Sequence, residues 1–178
     1  MLHRWEGADT CIIIDPGEEA GKIYEKVLEK YKKVEAILLT HGHFDHLVAV
    51  EQLKEKFHAK LFAPEQEKEL LADYEKNCTL QGYGKAMILV PDELLRDGQI
   101  VTWAGMDFHV IHTPGHTIGR SCYFMEKEEL LFSGDTLFRQ SMTDSLAALL
   151  KLPEGVIVYP GHGMRTTIGY EKANNPYK

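Results

Sequence analysis

The stretch LLTHGHFDHLVAV, residues 38–50, sets three histidines and one aspartate into six positions between two apolar runs. Imidazole nitrogen and carboxylate oxygen at this density form the donor set of a metal site, with zinc first and iron or manganese as alternatives. Three further candidates close other apolar runs: His116 ends IHTPGH, Asp135 ends LLFSGD and His162 ends IVYPGH. A glycine adjoins each group (Gly42, Gly115, Gly134, Gly161), so the backbone can turn sharply there and come close to an ion. Taken singly, each histidine reads as an ordinary hydrogen-bonded polar residue. Seven candidates in four groups, each after a strand, point to metal instead.

His41 and His43 are two residues apart, so in an extended segment they point the same way. Asp45 and His46 come later, near a helix start, and aim elsewhere. One ion then takes His41, His43 and His116, and a second takes Asp45, His46 and His162. Asp135 is left as the natural bridge of a two-metal site. Two divalent ions, two carboxylates and a bridging hydroxide leave roughly +1, which favours an anionic substrate and an anionic intermediate. Asp45 is expected to orient the hydroxide as well as bind metal. The remaining histidines, His3, His58, His109 and His112, are assigned to surface or packing roles.

These groups need strands to carry them to one edge. TCIIIDPG (10–17) is a β-branched run stopped by Pro16 and Gly17. Residues 18–34 follow with helical spacing of Ile23, Val27 and Tyr31. Residues 35–40 read as a second strand, 46–58 as one helix and 59–63 as a third strand, a βαβ pattern with parallel pairing. Residues 64–76 are expected to be helical and 77–99 an irregular surface excursion. Two hairpins follow, turning at Ala104–Gly105 and at 126–129, then a helix at 145–152 capped by Thr143 or Asp144, and a last buried strand at 155–163. Strand ends in α/β folds gather at the edge where ligands bind.

Composition sets limits. The chain has 178 residues, 44% apolar and 26% charged, which fits a single globular domain over 1–178. A net charge of −7 without a basic block disfavours nucleic acid and anionic membranes. No apolar run approaches a membrane span, and no signal peptide is expected. Cys11, Cys78 and Cys122 are too few for a disulfide framework and read as small apolar residues of a reducing compartment, hence the cytoplasm. Tyr83 and Tyr123 are read as core aromatics rather than pocket walls.

The motifs THGHFDH (40–46), TPGHTIG (113–119), FSGDTLF (132–138) and YPGHG (159–163) resemble the metallo-β-lactamase superfamily. The resemblance implies an αββα sandwich: two mixed β-sheets face to face, helices outside and a dinuclear site at one edge with Asp135 bridging. SGDTLFR (133–139) and PGHGMRTTIGYEKANNP (160–176) are closer to the glyoxalase II-like branch, which hydrolyses thioesters such as S-lactoylglutathione. β-Lactamases of this superfamily usually carry another residue, often cysteine, at the bridging position, so Asp135 argues against that activity. The implied function is hydrolysis of a small, anionic thioester by a metal-bridging hydroxide. The alternatives are a mononuclear iron persulfide dioxygenase and a metal-binding domain with little activity. Oligomeric state is left open. Against the family pattern the N-terminal strands and the loop near 140–144 look abbreviated. The helical extension that binds glutathione in full-length glyoxalase II is not expected in the residues after His162. Arg139 is expected beside the site, for a substrate carboxylate or a structural ion pair, and Lys172, Asn174 and Asn175 near the substrate mouth.

Overall fold

A computed structural model describes residues 9–137 and 143–177. Alternation along the strands divides their apolar residues between separate layers. In β1 (Thr10–Ile14), Cys11 and Ile13 face one way and Ile12 and Ile14 the other. The pattern repeats in β2 (Lys33–Leu38), where Ile37 turns outward and Ala36 and Leu38 inward. With β3 (Lys60–Pro64) and β4 (Glu93–Leu95) these strands form a sheet of order β1-β2-β3-β4, every pairing parallel. Its outer face packs on α1 (Ala20–Leu28), α2 (Phe44–Leu47) and α3 (Val50–Phe57), through Val27, Leu47 and Leu53.

A second sheet has the order β10-β9-β8-β7-β6-β5. Its strands are β5 (Ile100–Trp103), β6 (Met106–His112), β7 (Ser121–Met125), β8 (Leu130–Gly134), β9 (Ile157–Pro160) and β10 (Thr166–Thr167). Only β8 and β9 run parallel. Phe108, Tyr123, Met125 and Phe132 point from it into the central core, against Ile12, Leu38 and Phe62 of the first sheet. Cys122, Phe124 and Leu131 point outward onto a helical layer holding Leu146, Leu149 and Ile168. Each such side chain contributes about 1.5–3 kcal/mol when fully buried. The result is the expected four-layer αββα sandwich of two sheets flanked by helices, with α4 (Lys68–Leu71), α5 (Thr143–Leu149) and α6 (Ile168–Asn174) completing the helices.

Several expectations need correction. Among the described residues the first sheet is wholly parallel, not mixed. The helix expected over 18–34 stops at Leu28, because the amides of Lys32 and Lys33 are taken by the Asp9 carbonyl and β2 has begun. The helix expected over 46–58 starts at Phe44 and breaks between Leu47 and Val50. There the Ala49 amide bonds to the Pro16 carbonyl at 3.0 Å instead of continuing the helix. The helix expected over 64–76 is reduced to a 3-10 turn at Glu65–Glu67 and the four residues of α4. The excursion 77–99 holds β4, too short and too charged to announce itself. β9 is not last: β10 pairs antiparallel with it and α6 follows. Cys11 and Cys122 are buried as expected, whereas Cys78 is partly exposed. Tyr123 is fully buried, but Tyr83 is exposed. The abbreviated N-terminal strands, His3, Arg139 and residues 140–142 of the shortened loop lie outside the described residues, as does the side chain of Thr143.

Candidate metal centre

The seven candidate residues come from four strand ends. β2 runs out at Leu38, and Thr40 to His46 follow, with His46 on α2. His116 stands in the loop after β6. Asp135 follows β8 and His162 follows β9. Cross-links hold these ends together. Ser121 N–H donates to Thr40 O at 3.0 Å, Gly161 N–H to Gly134 O at 2.9 Å, and the buried Tyr123 hydroxyl to Leu39 O at 2.6 Å. Gly161 allows a close approach to two of the candidate ligands. A Cβ there would lie 2.4 Å from Asp135 Oδ1 and 2.6 Å from His46 Cε1, so only glycine fits.

The side chains converge as two groups around one carboxylate. His43 Nδ1 and His116 Nε2 are 2.8 Å apart, and the His41 ring centre is 5.0 Å from each of theirs. On the other side, His162 Nε2 is 2.9 Å and His46 Nε2 3.8 Å from Asp45 Oδ2. Asp135 lies between. Its Oδ2 is 3.5 Å from His116 Nε2, while its Oδ1 is 3.6 Å from His46 Nε2 and 3.9 Å from His162 Nε2. Three sets of donor atoms lie close enough to share an ion: His41, His43 and His116; His41, His46 and Asp135; and Asp45, His46 and His162.

Buried polar atoms ordinarily find partners. Here His41 Nε2, His46 Nε2 and Asp135 Oδ1 are buried without a hydrogen bond, all three aimed into the cluster. A divalent cation fits that arrangement, since it accepts several such lone pairs at once. Protonation favours it too. Burial, then the neighbouring imidazoles, holds His41 well below the usual histidine range, and burial lowers His43 and His116 as well. These three rings are neutral and ready to ligate. His46 differs. Burial pulls it down, but the carboxylates of Asp15, Asp135 and Asp45 outweigh burial and raise it to about 9.

Asp15 was not singled out in the sequence, although IIIDPG has the same apolar-run-then-carboxylate form as the groups that were. Its Oδ1 accepts from Thr40 N–H and its Oδ2 from the Thr40 hydroxyl, both at 2.7 Å, and Oδ2 lies 3.0 Å from His46 Nδ1. The carboxylate therefore turns the other His46 nitrogen toward the centre. Of the four histidines set aside, His58 is exposed, His109 packs its ring near Phe124 and His112 Nε2 sits 2.8 Å from Ile118 O, all apart from the cluster; His3 is not described. Lys172, Asn174 and Asn175, expected near the substrate mouth, have side chains engaged in hydrogen bonds within the fold. Lys172 and Asn175 donate to Leu152 O and Leu137 O and fasten α6 to its surroundings, while Asn174 donates to Tyr170 O within the helix. A cavity of about 700 Å³ is walled by Leu137, Pro160, Gly163, Arg165 and Tyr170 among others, and none of the seven candidate ligands lines it. Among the described residues, no helix is long and apolar enough to cross a membrane.

The metallo-beta-lactamase superfamily profile matches residues 5–162. Hydroxyacylglutathione hydrolase GloC of Haemophilus influenzae is 31% identical over 97% of this chain and 89% of its own length. The crystal structure of BLEG-1 B3 metallo-beta-lactamase is 34% identical, superposes with a TM-score of 0.88 and covers 99% of this chain and 91% of that one. That of TTHA1623 in a di-iron-bound form is 32% identical, with a TM-score of 0.81 over 94% of this chain and 89% of that one. The chain belongs to the metallo-β-lactamase superfamily, a family of metal-dependent hydrolases.

Proposed function

We propose that this protein hydrolyses a small anionic thioester at a dinuclear metal centre. His41, His43 and His116 would hold one ion and Asp45, His46 and His162 the other, with Asp135 offering one carboxylate oxygen toward each group. The observation that carries the reading is the position of Asp135, one oxygen toward each histidine group. The likeness to GloC supports the thioester. When bound, zinc or another divalent metal supplies Lewis acidity toward a carbonyl and lowers the pKa of water to about 7.

The protein's own groups supply the rest. The three neutral imidazoles offer lone pairs without first losing a proton. Asp45, anchored against His162, orients the attacking water. Asp15 fixes the ring of His46. We assign the acyl or thiol portion of the substrate to the cavity walled by Gly163 and Arg165, which follow His162 in the chain.

One sample tests this: metal content, with turnover of S-lactoylglutathione and of a simpler acyl thioester side by side. About two ions per chain with turnover is the expected result. His41→Ala and Asp135→Ala should lose both metal and turnover; full activity in either metal-depleted variant ends the proposal. One iron per chain without hydrolysis would favour the persulfide dioxygenase instead, to be followed as oxygen uptake with a persulfide. A second reading, β-lactam ring opening, is favoured by the likeness to BLEG-1. A chromogenic cephalosporin turned over faster than either thioester would make it the leading one.

A further inference from the structure

Glu67 is a carboxylate with no solvent exposure, in the 3-10 turn Glu65–Glu67. Its Oε2 accepts from Gly42 N–H at 2.8 Å and its Oε1 from Gly119 N–H at 2.7 Å. Gly42 separates His41 from His43, and Gly119 lies three residues beyond His116. One buried side chain therefore spans the two loops that bear this histidine trio. Packing points to the same segment independently. A Cβ on Gly119 would lie 2.5 Å from the backbone of Gln66 and Glu67, and a Cβ on Gly42 would lie 2.5 Å from Leu70 and 2.9 Å from Leu71. Both loops are thus pressed against residues 66–71, with Glu67 bonded between them. A carboxylate removed from water is costly unless hydrogen-bonded, so each of its oxygens has reason to keep its loop in place.

We infer that Glu67 is a positioning residue for the ion held by His41, His43 and His116, setting the distance between the two loops that supply them. The inference rests on the dinuclear reading above. Asp15 stands behind the other ion through His46, so the effect of Glu67 is confined to one of the two.

Glu67→Gln isolates this role. The amide oxygen still accepts from one backbone N–H, but the amide nitrogen meets the other donor to donor and releases that loop. The test is titration of chelator-treated protein with cobalt(II), followed by its visible absorption and by calorimetry. Wild type is expected to show two binding steps. In Glu67→Gln one step should weaken about 10–100-fold with an altered spectrum, while the other keeps its affinity. Two unchanged steps overturn the inference, and so do two equally weakened steps, which would mean general loosening of the fold. Wild type that takes up no cobalt removes the metal reading itself, and this inference with it. Should Glu67→Gln not fold, Glu67→Asp carries the test. It keeps the charge but is one methylene too short to span both amides. The same one-sided weakening is expected, and an unchanged titration overturns the inference.

Discussion

Asp15→Asn removes the charge facing His46 and leaves the backbone alone. Asp15 sits at φ 49, a left-handed conformation that asparagine tolerates as aspartate does. The amide oxygen can still accept from Thr40 N–H, but the amide nitrogen cannot accept a proton from His46. In the metal-free protein, burial lowers the His46 pKa and the carboxylates, Asp15 first among them, raise it to about 9. A folded-state pKa raised above the ordinary 6.5 stabilises the fold fully below that pH, and the stabilisation is lost as pH rises through about 9. The interval corresponds to about 3 kcal/mol, shared among three carboxylates, so loss of the leading one forfeits about 1–2 kcal/mol.

Urea unfolding of chelator-treated protein measures this. Wild type should lose stability steadily between about pH 6.5 and 9, while Asp15→Asn starts lower and declines less, so that the gap narrows toward alkaline pH. With metal restored, the variant should bind the ion assigned to His46 about 10–100-fold more weakly. A gap of the same size at every pH would refute the reasoning, because it would assign the role of Asp15 to its bonds with Thr40 and not to the charge on His46.

Gly161→Ala drives a methyl group into Asp135 Oδ1 and His46 Cε1, and should cost about 100-fold or more in kcat/KM together with metal affinity, read by metal analysis and steady-state rates. Activity close to wild type would mean that the strand ends can separate without harm. Tyr123→Phe removes the hydrogen bond to Leu39 O and should lower stability by about 1–2 kcal/mol in thermal unfolding, with bound metal and kcat unchanged. His112→Ala should leave metal content and kcat/KM within about twofold of wild type, since this ring meets the Ile118 carbonyl and not the cluster; a larger loss would bring His112 into the site.

The sequence made the site's raw material visible because chemistry and strand pattern coincide there. His41, His116, Asp135 and His162 each follow an apolar run, and strand ends are what an αββα sandwich brings to one edge. The layering was legible for a similar reason: in IIIDPG and LLFSGD the apolar side chains alternate between two faces that both need cover. Helix ends were poorly legible, because long-range bonds decide them. Nothing near Lys32 in sequence says that the Asp9 carbonyl will end α1, or near Ala49 that the Pro16 carbonyl will interrupt the helix after Leu47. β4 was hidden because three residues, one of them charged, form a strand only where β3 offers an unpaired edge.

The supporting carboxylates divide along the same line. Asp15 follows an apolar strand, as the candidate ligands do, and could have been counted with them. Glu67 sits in PEQEKELL, among charges that read as a solvated helix face, and local pattern cannot separate it from Glu65 or Glu69, which are exposed. What distinguishes it is the pair of amides, Gly42 and Gly119, that reach it from loops 25 and 52 residues away in the chain. The candidate ligands are histidines and aspartates, and so betray themselves by type. A residue that holds ligands in place needs only an acceptor at the right point in space, and that point exists only once both sheets have packed.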